Sequence, residues 1–207
     1  MKVKSVLGLV LCGAAIGAVG CRKTNDVDKG AFKSALNDYF SAQQRCVWSS
    51  PVKFPAQADT SKEDQTKGFD ALVDAGMLTR TSAEKKRFLV GSKQVNNYDL
   101  SDKGHSTWRA EQTEPGYGTC CYGHREVTTV DSFGATDSGS TASYTVNFHY
   151  DVAGVSGWAS STEMKSAFPV IDADLSGQQM GTATLTKTSS GWQVTGMPST
   201  GTAALPQ

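Results

Sequence analysis

Cys46, Cys120, Cys121 and His124 are the residues of this 207-residue chain whose type and spacing best suit chemistry. They offer three possibilities. Cys46 could form a disulfide with one of the adjacent pair, Cys120 and Cys121 could bridge each other as a redox element, or Cys120, Cys121 and His124 could begin a metal site. Consecutive strand residues face opposite sides, so only one of Cys120 and Cys121 can easily point at Cys46. Cys121 is favoured because it shares parity with Val127, an inward residue on the same strand; Cys120 is the alternative partner. The loop closed by such a bond, about 75 residues, would contribute roughly 4.5 kcal/mol in the chain-entropy treatment, an upper figure. A strand separates residues 121 and 124 onto opposite faces, and no second regularly spaced ligand pair follows, so no metal is expected. Cys120 then remains a buried or partly buried free thiol.

The other candidates carry less. Gly116-Tyr117-Gly118-Thr119-Cys120-Cys121-Tyr122-Gly123 is glycine-rich but leads into a strand, so a phosphate site at a helix N-terminus lacks its basis; a tight bend beside the disulfide is expected. His105, His124 and His149 are far apart, and His149 falls on the solvent face of a strand. Asp151, Asp172 and Asp174 could be paired acids only if a cleft united them. Tyr117, Tyr122, Trp158 and Trp192 could form an aromatic platform for a glycan or peptide, although such residues more often pack in cores and sheets. Gly-x-Ser-x-Gly, a phosphate-binding loop ending in Lys-Ser/Thr, and His-Glu-x-x-His are all absent from the sequence. No catalytic residue and no cofactor is expected.

Composition narrows the partners. The 20 basic and 20 acidic side chains balance, which argues against a general nucleic-acid binder. Lys2 and Lys4 precede an uncharged apolar stretch, Val6 to Ile16, too short for a spanning helix, and small residues lead to Cys21. Ala18-Val19-Gly20-Cys21 resembles the lipobox of bacterial lipoproteins, with Ala18 where Leu is usual. The resemblance implies a signal peptide over residues 1–20, cleavage before Cys21, and a diacylglycerol on its sulfur. Two or three acyl chains hold a protein to a bilayer far better than one. Arg22, rather than Asp, after the cysteine implies outer-membrane delivery, facing the periplasm, in a Gram-negative host. Cys12 leaves with the signal, and lipid consumes Cys21. Three cysteines then enter an oxidising compartment.

The elements that must position these residues follow from periodicity. Residues 21–28 read as a tether. Phe32, Leu36, Tyr39, Phe40 and Val47 mark one helix face from Lys29 to Val47, with Asp28 as N-cap. Pro51 and Pro55 enforce an extended turn. A second helix starts near Ser61, presents Phe69, Leu72 and Val73, and stops at Gly76. Phe69 to Arg80 and Tyr98 to Gly104, within residues 66–108, resemble the helix–wing half of winged-helix domains; Phe88-Leu89-Val90 lies between them. In a DNA reader Lys85, Lys86 and Arg87 would meet phosphate, but export removes that partner, leaving a small scaffold.

From Tyr117 the pattern becomes β. A strand is expected from Cys121 to Val130, then a loop at Asp137-Ser138-Gly139-Ser140. Tyr144, Val146, Phe148, Tyr150 and Val152 alternate with polar residues. Trp158 to Phe168 reads as a covering helix stopped by Pro169. Gly181–Lys187 and Trp192–Val194 form a hairpin, and residues 198–207 are a mobile tail. The expectation is an α+β fold: N-terminal helices with a helix–wing unit (29–110), then a mainly antiparallel sheet with one covering helix (117–197), stapled by the disulfide into one domain over 29–197. Its expected role is that of a non-enzymatic, lipid-anchored envelope protein, structural, accessory or binding, with an envelope protein or glycan as partner. A periplasmic thiol-redox protein using Cys120 and Cys121 is the alternative.

Overall fold

The first helix, α1 (Lys29–Ser41), is started by Asp28, whose carboxylate accepts the Ala31 N–H at 2.7 Å. The computed structural model in which this is seen describes residues 27–86, 91–136 and 141–197; the leader, Cys21, the Phe88-Leu89-Val90 run, the Asp137–Ser140 loop and the tail lie outside them. Phe32, Leu36 and Phe40, spaced four apart, are all buried and form the inner face of α1. The helix does not reach Val47 as its periodicity suggested. After Ser41 the chain turns into β1 (Gln44–Cys46), and the Val47 N–H is taken by the Cys120 carbonyl at 3.0 Å. Sheet pairing has replaced the last helical turns.

Strands β2 (Val52–Lys53) and β3 (Ala56–Asp59) follow, kept extended by Pro51 and Pro55. Helix α2 (Glu63–Asp74) has Glu63 and Asp64 in its first turn, where the helix dipole favours them. It ends at Gly76, whose φ of +72° suits glycine. There the Met77 N–H reaches the Leu72 carbonyl and the Gly76 N–H reaches that of Val73, both at 2.8 Å, completing a Schellman stop. Strands β4 (Leu78–Lys86) and β5 (Ser92–Leu100) pair along their full length, and β3 adds to the other edge of β5. Helix α3 (Asp102–Thr107), capped by Ser101, leads into β6 (Trp108–Ala110).

Strand β7 (Tyr117–Thr136) is 20 residues long and runs the length of a seven-stranded antiparallel sheet. β1 and β2 line one side of its first half and β6 the other, while its second half pairs with β8 (Ser143–Ala153). The sheet continues through β9 (Gln179–Thr188) to β10 (Gly191–Gly196), the closing hairpin. β3, β5 and β4 make a separate three-stranded sheet. The fold is mixed α+β, mostly antiparallel, with few helices.

The segment after β8 corrects the expected single helix from Trp158 to Phe168. It is a 3₁₀ turn (Gly157–Ser160), then α4 (Thr162–Ala167), then α5 (Pro169–Leu175). Ser161 starts α4 by accepting the Met164 N–H at 3.2 Å. Pro169 pushes Phe168 into extended backbone, so α4 stops, but at the first position of α5 the missing N–H costs nothing. The helix covering the large sheet is instead α1.

Two buried clusters result. In one, Phe32, Leu36 and Phe40 meet Val127, Val130, Val146, Phe148, Leu185 and Trp192. In the other, Leu72, Met77, Tyr98, Cys120, Tyr122, Trp158 and Ile171 pack among α2, α4, α5 and the small sheet. β7 contributes to both.

Candidate functional site

Cys46 and Cys121 stand directly opposite each other in β1 and β7, and their sulfurs are bonded at 2.05 Å. The geometry that selects Cys121 differs from the parity expected. Gly118, Cys120 and Tyr122 point inward in this half of β7, and Cys121 faces the other way, half-buried. Val127 belongs to the other cluster, against α1, and the pairing of β7 with β1 shifts register between Cys121 and Gly123. Cys121 therefore meets Cys46 on the face opposite the inner cluster, and Cys120 is left as a buried free thiol. Burial pushes the Cys120 pKa up to about 11, away from the thiolate that reactivity requires.

The bonded strands form the wall of a cleft of about 570 Å³. From β1 it takes Gln44, Arg45 and Cys46, and from the segment that follows, Trp48 and Ser49. Glu111, after β6, and Thr119, on β7, supply the facing polar groups. Each is held by its own element. Trp48 is wedged edge-on against Phe69 and Phe168 and tilted against Phe54, with centroids 5.8 to 6.2 Å away. Glu111 donates its N–H to the Tyr117 carbonyl at 2.8 Å, closing the β6–β7 connection, and its Oε1 accepts from the Thr113 hydroxyl at 3.2 Å. The Thr119 Oγ1 is buried without a hydrogen-bond partner.

Arg45 brings a cation to this wall but does not leave it free. Its Nε and Nη2 donate to both oxygens of Asp174 at 2.6 and 3.0 Å, and the Tyr122 hydroxyl donates to the same carboxylate. Asp174, on α5, has a side chain only 5% exposed, so two charge-assisted partners stabilise an ionised group that would otherwise be costly to bury. Burial pulls the Arg45 pKa down, but the hydrogen bond and charge of Asp174 outweigh it, and the net shift is upward. Tyr122 is shifted upward by burial and by the same carboxylate. The clasp ties α5 to β1 and β7 beside the disulfide.

The remaining candidates do not converge. Asp174 is committed to Arg45 and Tyr122, Asp172 lies exposed on α5, and Asp151 stands opposite Glu126 on β7, so the three aspartates do not come together. The aromatic platform does not form either: Tyr122 and Trp158 belong to one cluster, Trp192 to the other, and Tyr117 lies under the Lys53 ammonium. His149 Nδ1 lies 2.7 Å from an Asp131 carboxylate oxygen, and His105 is exposed on α3. With Cys121 bonded and Cys120 on the opposite face, His124 has no converging sulfur pair. The expected bend is confined to Gly116, whose φ is +84° just before β7; Gly118 lies in the strand, where a side chain would collide with Trp108 and the Arg109 carbonyl. Sequence reasoning passed over Arg45, Trp48, Glu111 and Thr119. The one available signal was that Arg45 and Trp48 flank Cys46 closely.

Among the described residues no helix is long and apolar enough to cross a membrane. Compared with known proteins, the chain matches no family model, no curated sequence and no solved structure.

Proposed function

We propose that this chain is a lipid-anchored protein of the bacterial cell envelope that works by contact rather than catalysis, with the cleft beside β1 as its contact surface. The observation that carries the reading is the Cys46–Cys121 bond, which braces the cleft wall and is a type of bond that persists in oxidising compartments. It agrees with the export signal and lipobox-like Ala18-Val19-Gly20-Cys21. In a Gram-negative host, Arg22 places the anchor in the outer membrane, facing the periplasm. Residues 29–197 act as one body, with the helix–wing unit of α2, β4 and β5 as scaffold. The cleft offers one carboxylate, Glu111, with no base–nucleophile couple among its described residues, which suits binding better than bond breaking. Burial and a raised pKa of Cys120 weigh against the thiol-redox alternative.

Metabolic labelling with palmitate, followed by membrane fractionation, tests the anchor. The wild-type chain takes label and partitions with membrane, whereas Cys21→Ser stays unlabelled. A mature amino terminus elsewhere, without a fatty adduct in the mass spectrum, overturns the reading.

A further inference from the structure

We infer that the cleft beside β1 binds a neutral glycan segment. The inference deepens the contact reading, since it names the ligand class for that same surface. Four features of the cleft select this chemistry.

The first is a fixed aromatic side chain. Trp48 is only partly buried, and three neighbouring rings hold its indole in place in the cleft wall. A sugar ring presents an apolar C–H face that packs on such a surface, and an immobilised indole loses little entropy when covered.

The second is the polar set around it. Gln44 and Glu111 carry planar groups with two heteroatoms, suited to neighbouring hydroxyls, and Ser49 adds a hydroxyl of its own. Thr119 Oγ1 itself is buried without a hydrogen-bond partner, so the polar side chains open to a ligand are those of Gln44, Ser49 and Glu111. An apolar ligand would leave these groups unpaired and lose affinity.

The third is charge. The Arg45 guanidinium is engaged on two of its nitrogens by Asp174 at 2.6 and 3.0 Å, which leaves Glu111 as the uncompensated charge of the lining. An anionic ligand would meet a carboxylate with no free cation opposite it.

The fourth feature tells against a peptide added as an extra strand. β1 is three residues long, and its pairing with β7 shifts register between Arg45 and Cys46. Strand addition needs a regular open edge, and a bulged, short edge is how sheets discourage it. The cleft volume lies within the range usual for small-ligand sites.

The test uses the full exported chain in detergent, titrated separately with cellotetraose, N-acetylated chitotetraose, tetragalacturonate and an uncharged extended tetrapeptide, each up to about 10 mM, a range that detects dissociation constants near 1 mM. Tryptophan fluorescence reports affinity, and backbone amide shifts locate the site. At least one neutral tetrasaccharide is expected to shift the amides of Trp48, Ser49 and Thr119. Its affinity should fall at least about ten-fold in both Glu111→Gln and Trp48→Phe, with far-UV spectra and melting profiles confirming that both variants fold. Response to none of the four probes overturns the inference. So does neutral-sugar binding that both variants leave unchanged, or a response confined to tetragalacturonate. If only the tetrapeptide binds, and binds at the cleft, the glycan assignment falls while the contact reading stands. Loss of the lipid anchor would remove the proposed address and leave the titrations unaffected.

Discussion

Cys120 sits beside a disulfide yet keeps its own sulfur away from solvent. Its thiol is wholly buried, and its pKa rises to about 11 from an ordinary 9.0 because the interior disfavours the thiolate. The sign of the pH dependence follows. An unfolded chain ionises this group first as pH rises, so its contribution to stability is intact below pH 9 and is lost as pH climbs towards 11. Tyr122 and Tyr98, both shifted upward by burial, add a further loss above their ordinary value of 10.0. Asp59 acts at the opposite end. Lys93 at 2.9 Å and Ser61 hold its carboxyl well below the usual carboxylate range, so its contribution is present above about pH 4 and disappears on acidification. Urea midpoints should therefore be level from pH 7 to 8.5 and decline beyond 9. Cys120→Ala should lower the plateau by about 1–2 kcal/mol and flatten the decline between 9 and 11. A decline that survives unchanged in that variant would reassign it to other groups. Maleimide should label Cys120 only after unfolding.

Among the elements, α1 has the simplest packing logic, because three aromatic and aliphatic residues on one face carry its attachment to the sheet. Phe32 has centroids 4.9 to 5.6 Å from Trp192, Phe133 and Tyr144, and is completely buried. Phe32→Ala should cost about 3–5 kcal/mol, read as a shift in denaturant midpoint; less than 1 kcal/mol would mean that α1 is not anchored in this way. The start of α1 and the whole of β8 were legible in the sequence because their signals are local: Asp28 before a four-residue apolar period, and alternation from Tyr144 to Tyr150. The end of α1 was not, since Val47 keeps the helical period while its N–H is claimed by Cys120, a residue far along the chain. The break at Ser161 was hidden for another reason. A serine cap and a proline at a first helical position look, in one dimension, like an interruption and a stop. The cleft was the least legible part, because Trp48, Glu111 and Thr119 come together only through pairings of β1 and β6 with β7.

At the scale of the whole molecule, the disulfide and the Arg45–Asp174–Tyr122 clasp fasten the same junction, where β1, β7 and α5 meet. Asp174→Asn would leave a guanidinium whose side chain is 26% exposed without its anion. The expected cost is about 2–3 kcal/mol, between the values for exposed and buried pairs. Because β7 supplies Cys120 and Tyr122 to one cluster and Val127 and Val130 to the other, unfolding should remain a single event in this variant. Tryptophan fluorescence, which samples Trp158 and Trp192 in the two clusters, and far-UV circular dichroism should trace superimposable urea curves. Separated curves would show that the clusters melt independently. The continuity of β7 also bears on how the protein can be dissected. A strand claimed by both halves can be assigned to neither, so any fragment that begins or ends between Tyr117 and Thr136 would expose raw main-chain edges and aggregate. Expression of the piece up to residue 126 and of its complement should yield inclusion bodies separately, and soluble material only when the two are produced together.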